Sequence, residues 1–131
     1  KPKMSLVEGT LEHRADEVDF VGPGIRIGLG KKAALGLRDG SWTSVALGVR
    51  AEDVRIVSKE ASMNPGSFEA SVQLLEPIGS DTFVELAVGP AAIIARVNPD
   101  LPLEIGQLVR AEMSPSRIHL FERANGDRIN A

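Results

Sequence analysis

Apolar and polar positions alternate with a period of two along much of the chain. Phe68, Ala70, Val72 and Leu74 alternate with Glu69, Ser71 and Gln73, the pattern of a strand with one buried and one wet face. Val84, Leu86 and Val88 repeat it, as do Val109, Ala111 and Met113, Val45, Leu47 and Val49, and the shorter run Ile25, Ile27 and Leu29. Ala92 to Val97 is more continuously apolar and predicts a strand buried on both sides. Short turn sequences separate these runs: Gly22-Pro23-Gly24, Asp39-Gly40, Asn64-Pro65-Gly66, Gly79-Ser80-Asp81, Gly89-Pro90 and Asn98-Pro99-Asp100. Many short strands with frequent turns predict an all-β sandwich or barrel. No long stretch holds a helical period; only Ala51-Glu52-Asp53 and Ser114 to Arg117 read as single helical turns. The small, polar segment 58–66 joins a half at 1–57 to a half at 67–121, and 122–131 reads as a polar tail that frays.

Composition narrows the class further. At 131 residues the chain buries roughly two-thirds of its unfolded surface. That suits one domain, or two small halves sharing a core. Cysteine is absent, which excludes disulfides and thiolate metal sites. Fifteen basic against eighteen acidic residues give a net charge of -3, and aromatic residues are 4% with no Tyr. Both features argue against a single-strand nucleic-acid binder, which needs a positive groove and stacking platforms. No apolar run reaches the length of a membrane-spanning helix. No basic segment precedes an apolar stretch, so no secretory leader is expected.

The catalytic motifs fail one by one. Gly28-Leu29-Gly30-Lys31-Lys32 is glycine-rich and basic, but Ala33 and Ala34 follow where a phosphate loop needs Ser or Thr, so it reads as a strand ending in a solvated basic loop. His13 lies in a charged run and His119 alternates with Ile118 and Leu120; neither has a partner at metal-ligand spacing. No GxSxG elbow is present. Asp16 and Glu17, or Glu52 and Asp53, are neighbours that a strand would point to opposite faces. No catalytic set and no metal site is expected.

Three clusters remain. Leu47-Gly48-Val49-Arg50-Ala51-Glu52-Asp53 is a strand running into a tight turn with opposite charges at Arg50 and Glu52. Glu76-Pro77-Ile78-Gly79-Ser80-Asp81-Thr82 joins two clear strands, with Gly79 suited to positive φ and Ser80 or Asp81 able to bond the turn backbone. Pro115-Ser116-Arg117-Ile118-His119-Leu120-Phe121 starts as a helical turn and leads into a final strand. By themselves these are turns and a strand start.

In order along the chain, the clusters resemble the C-terminal regulatory region of ABC-transporter ATPases of the maltose and glycerol-3-phosphate importer type. Those regions carry an LGIRPE-like segment, an E-x-LG-x-[ET]-T-like loop and a P-x-R-x-HLF-like strand. The opening Pro2-Lys3-Met4-Ser5-Leu6 is similar to their PKMN-L segment. Ala51 stands where the family usually has Pro, and Ser5 where Asn is common. The resemblance implies an OB-fold-like (TOBE) β-barrel region over residues 1–121. It makes Leu47, Gly48, Arg117, His119 and Phe121 motif positions. It makes Arg50, Glu52, Gly79, Ser80, Asp81 and Thr82 candidate contacts with a partner or regulator. Because the chain starts at Lys1 and has no Walker A, LSGGQ-like or Walker B stretch, the resemblance places the ATPase domain upstream. ATP and Mg are expected there, with no cofactor and no ATP hydrolysis in this part. The implied partners are the upstream domain, a second copy of the subunit, the transporter's membrane subunits, and a regulatory protein or small ligand. The implied place is the cytoplasmic face of the inner membrane, and the implied cargo a sugar or sugar phosphate. A stand-alone TOBE module binding a small oxyanion, through hydroxyls such as Ser80 and Thr82, is the alternative.

Overall fold

The structure is a computed structural model that describes residues 4–37 and 42–130. The expected Asp39-Gly40 turn and the Pro2-Lys3 opening lie outside the described residues. Ten strands follow in order: β1 (Ser5–Arg14), β2 (Glu17–Gly22), β3 (Ile25–Lys31), β4 (Val45–Val49), β5 (Val54–Val57), β6 (Ser67–Pro77), β7 (Thr82–Val88), β8 (Ala91–Val97), β9 (Leu108–Met113) and β10 (His119–Glu122). Single 3-10 turns occupy Ala51–Asp53 and Pro115–Arg117, where the sequence predicts them. The one-turn helix α1 (Lys32–Leu35) stands where a solvated loop is expected.

All pairings are antiparallel and form two five-stranded sheets, ordered β10-β4-β1-β2-β3 and β5-β9-β6-β7-β8. The outer strands of the second sheet, β5 and β8, pack against each other, so that sheet curls into a barrel. The halves 1–57 and 67–121 do not coincide with the sheets. β5 pairs with β9 in the second sheet, and β10 returns to pair with β4 in the first. One hydrophobic cluster runs through both sheets, with Phe20, Ile27, Leu47, Leu86, Ile93, Met113 and Leu120 fully buried.

Two expectations need correction. Ala91–Val97 is not buried on both sides: Ile93, Ala95 and Val97 point inward, while Ala92 and Arg96 are exposed. β8 is an edge strand, and its outward positions take small or long-stemmed side chains that the solvent tolerates. The segment after Phe121 does not fray. The Glu122 N–H donates to Asp127 O at 2.8 Å and the Ile129 N–H to Leu120 O at 2.8 Å. Ile129 buries its side chain, and the Asn130 amide both accepts from the Leu120 N–H and donates to Ile118 O, at 2.9 Å each. One apolar residue and one amide thus close the open edge of β10.

A single hydroxyl ties the start of β1 to the edge of β8: the Ile94 N–H donates to the buried Ser5 Oγ at 3.0 Å. In Ser5→Ala that N–H loses its acceptor, and a loss of about 1–3 kcal/mol is expected. Thermal unfolding should show the midpoint lowered by several degrees. The turn between β1 and β2 offers the opposite sign. Ala15 sits there at φ 60°, left-handed space that costs a β-carbon more than it costs glycine. Ala15→Gly should raise stability by about 0.5–1 kcal/mol in the same measurement.

Candidate functional site

The first and third motif clusters meet on one sheet face. β4 pairs with β1 on one side (Leu6 opposite Gly48, Glu8 opposite Ala46) and with β10 on the other (His119 opposite Gly48, Phe121 opposite Ala46). Alternation then sends Leu47 and Leu120 into the core, and turns Leu6, Gly48, His119 and Phe121 to the outer face. Leu47 is therefore a packing residue. Gly48 is required by its neighbours: a β-carbon there would stand 2.5 Å from Met4 Sδ, 3.0 Å from Phe121 Cε2 and 3.2 Å from Leu6 Cδ2. Gly48 is itself buried under these side chains: Met4 and Leu6 cover it from one side and Phe121 from the other, its ring nearly parallel to that of His119 at 6.4 Å.

Charge gathers beside this cover, where β4 ends and just before β10 begins. Arg50 and Glu52 are exposed, while Asp53 is largely covered and lies 4.0 Å from Arg117 Nε. Burial is the main cause that pushes the His119 imidazole below its ordinary pKa; Arg128 and Arg50 push it further, and Asp53 partly offsets them. At the other end Arg123 reaches Glu8 at 3.1 Å.

The second cluster forms the β6–β7 hairpin tip. Gly79 takes φ 92°, as the sequence suggests, and the Ile78 N–H donates to Asp81 O at 2.9 Å. Gly79 and Ser80 are exposed; Thr82 opens β7 opposite Val97. Asp81 lies 3.8 Å from Arg96 of β8. The 3-10 turn carrying Glu52 packs on β8 as well. β8 is thus the shared neighbour of both candidate segments.

A cluster that the sequence reading missed lies on β1, β2 and β3. Asp19 is buried and accepts from Arg14 Nε at 3.2 Å, Arg14 Nη2 at 3.3 Å and Arg26 Nη1 at 2.9 Å. The Arg14 and Arg26 hydrogen bonds hold its carboxyl below the ordinary aspartate range against the opposing effect of burial. Glu12 pairs with Arg26 at 3.1 Å and Glu17 with Arg14 at 3.6 Å. Three carboxylates facing two guanidiniums leave no positive excess, so the cluster clamps strands rather than anions. A register shift between Val18 and Asp19 places Val18, Asp19 and Phe20 all inside. That bulge breaks the alternation by which a buried Asp would be recognised. His13 is exposed and stacks on Trp42 at 4.3 Å. Among the described residues no group of three or more His, Cys, Asp or Glu is placed to hold a metal ion. No helix among them is long and apolar enough to cross a membrane.

The family model described as the TOBE domain matches residues 47–121, the span holding all three clusters. The chain belongs to the TOBE domain family. Curated relatives of this TOBE domain are ABC-transporter ATP-binding proteins. The sulfoquinovosyl glycerol transport ATP-binding protein SmoE of Agrobacterium fabrum is 44% identical over 52 residues, 40% of this chain and 14% of that protein. The sn-glycerol-3-phosphate import ATP-binding protein UgpC 2 of the same organism is 27% identical over 128 residues, 98% of this chain and 32% of that one. YurJ of Bacillus subtilis, an ABC transporter ATP-binding protein, is 20% identical over 123 residues, 92% and 34% of the two chains. The chain thus spans about a third or less of the length of these relatives. Among solved structures, the cytoplasmic molybdate-binding protein ModG superposes with a TM-score of 0.66 at 21% identity, covering 88% of this chain and 93% of that one. The OB-like TOBE barrel is therefore the fold.

The two shifted groups predict the acid side of the stability profile. His119 titrates lower when folded, so the unfolded state binds more protons; its contribution is full above about pH 6.5 and falls below. Asp19 also titrates lower when folded, and its contribution is full above about pH 4 and is lost as pH falls through the folded pKa. Denaturant titrations at a series of pH values should show both losses. His119→Gln should remove the upper one, and Asp19→Asn the lower, at a cost near neutral pH of about 1.5–3 kcal/mol for the charged hydrogen bonds lost.

Proposed function

We propose that this TOBE domain is the regulatory and dimerisation region of an ABC importer ATPase serving sugar or sugar-phosphate uptake. It works beside an upstream ATPase domain that binds ATP and Mg, with a second copy of the subunit and the transporter's membrane subunits, on the cytoplasmic face of the inner membrane. The observation that carries this reading is the match of nearly the whole chain to an ATP-binding protein named for sn-glycerol-3-phosphate import, and of 52 residues to one named for sulfoquinovosyl glycerol transport. The domain itself does no chemistry in this reading. Its motifs supply packing (Leu47), a position where only glycine fits (Gly48), exposed charge (Arg50, Glu52) and the half-buried Asp81, and such charges orient partners better than they catalyse.

Peptide mapping of the native polypeptide by immunoprecipitation and mass spectrometry tests the reading. Peptides of a phosphate-loop ATPase on the same chain, upstream of this sequence, are expected. A polypeptide holding this domain without them would overturn it. In the full-length protein, Arg50→Ala with Glu52→Ala should lower substrate-stimulated ATP hydrolysis several-fold; unchanged stimulation and dimerisation would remove these residues from the regulatory surface.

The likeness to ModG favours one second reading, a module that binds a small oxyanion with backbone N–H groups and the hydroxyls of Ser80 and Thr82. Calorimetric titration with molybdate and sulfate separates the two. The importer reading expects no saturable heat; a saturable heat abolished by Ser80→Ala with Thr82→Val would favour the oxyanion module.

A further inference from the structure

The chain has four asparagines, Asn64, Asn98, Asn125 and Asn130, and the surroundings of each set its chemistry. Asn64 and Asn98 precede Pro65 and Pro99, whose nitrogens carry no proton and cannot attack a neighbouring side chain. The Asn130 amide is held between the Leu120 N–H and Ile118 O. Asn125 differs on both counts. It is exposed and is followed by Gly126, also exposed. A β-carbon on Gly126 would meet nothing within 4 Å. No side chain therefore shields the Gly126 nitrogen. The Asn125 side-chain carbonyl is tethered beside that nitrogen, so attack closes a five-membered ring with no encounter step.

We propose that Asn125 is a site of spontaneous deamidation whose product loosens the cover of β10. The Gly126 nitrogen gives up its proton and bonds to Asn125 Cγ. The Cγ–Nδ2 bond breaks, and the amide nitrogen takes up that proton and leaves as ammonia. Water then opens the cyclic imide. Opening at Cγ yields aspartate; opening at the backbone carbonyl carbon yields isoaspartate, in which the main chain runs through the former side chain. Either product adds one negative charge to a chain whose net charge is -3.

The turn holding these two residues both delays the reaction and responds to it. The Gly126 N–H donates to Glu122 O at 2.7 Å, and Asn125 Oδ1 accepts from the Asp127 N–H at 2.9 Å. Both reacting groups are engaged while the turn is closed, so attack waits for it to open, a local event of an exposed segment. The product then acts on the same turn. Asn125 Nδ2 donates to Glu122 Oε1 at 3.3 Å. After conversion the donor is gone and two carboxylates face each other. Isoaspartate also lengthens the backbone between residues 125 and 126, so the hydrogen bonds of Gly126 and Asp127 lose their spacing. This turn is what returns the chain along β10. The Glu122 N–H donates to Asp127 O, Phe121 bridges to Arg128, and Ile129 is buried just beyond. Opening it releases the segment that closes the edge of β10.

Ageing the native polypeptide at mildly alkaline pH, beside the free peptide acetyl-Arg-Ala-Asn-Gly-Asp-Arg-amide, tests the site. After digestion the fragment holding Asn125 should be heavier by about 1 Da, the difference between NH2 and OH. Part of it should accept a methyl group from an isoaspartyl methyltransferase. The fragments holding Asn64 and Asn98 should keep their mass. Conversion should run several-fold slower than in the free peptide, because the turn must open first. No mass gain at Asn125 by the time the free peptide has fully converted would overturn the proposal. Hydrogen exchange over residues 122–130 reads the consequence. It should quicken several-fold in the aged protein and in Asn125→Asp. Adding Glu122→Gln to Asn125→Asp should restore the slow exchange, since the glutamine amide donates where the carboxylate repelled. Unchanged exchange in both the aged protein and Asn125→Asp would overturn the link to the β10 cover.

Discussion

The exchange of β5 and β10 between the sheets ties every other feature of this TOBE domain together. Neither sheet can form from a contiguous half of the chain: the first borrows its edge strand from the C-terminus, and the second takes an edge strand from the N-terminal half. A hydrophobic core shared by both sheets makes that exchange stable, because each borrowed strand carries side chains that only the common interior can bury. Leu120 arrives on β10 and packs with no exposed surface; Val54 does the same on β5. The loop at 58–66 is drawn in as well. Arg110 of β9 donates to Lys59 O and Ala61 O, and the Gly28 N–H of β3 donates to Pro65 O at 2.8 Å. Local opening of one sheet therefore disturbs the other.

The exchange also builds the candidate face. β4 sits between β1 and β10, so the motif around Leu47-Gly48 meets the motif around His119-Leu120-Phe121 only because the last strand crosses back. The same register divides each motif between two tasks. Odd positions of β4 and even positions of β10 hold the core, while Gly48, His119 and Phe121 face outward beside Leu6. A substitution at Leu47 and one at Gly48 would both destabilise the fold for different physical reasons, the first by emptying the core and the second by driving a β-carbon into Met4, Phe121 and Leu6.

How much of this was legible in the sequence depended on how regularly each strand alternates. β3, β7 and β9 stand close to their predicted places because each buries one face and the alternation is clean; β4 is covered on both faces, and β6 follows its predicted alternation only to Val72, where a register shift leaves the expected inward Leu74 exposed. β1 escaped because its inward row begins with a hydroxyl, Ser5, and is interrupted by Gly9 where the strand turns from β4 to β2. β2 escaped because its bulge buries three residues in a row. The single turns at Ala51–Asp53 and Pro115–Arg117 were readable from composition, since short acidic or Pro-led segments between strands have few other conformations. The ordered motifs carried the family. Their meeting on one face could not be read, because it depends on a pairing between residues some seventy positions apart.

Two sets of arginines show why residue type alone does not define a site. Arg14 and Arg26 converge on Asp19, but Glu12 and Glu17 complete their coordination and the group is spent on holding β1, β2 and β3 together. Arg50 stands at the end of β4 with no such partner among the described residues, beside a histidine whose neutrality it helps enforce. A buried carboxylate satisfied by two guanidiniums gains nothing from a further ligand. An exposed guanidinium without an acidic partner is not spent in this way. The position of each arginine relative to the register of the sheets, rather than the net charge of -3, decides which one is spent inside the fold.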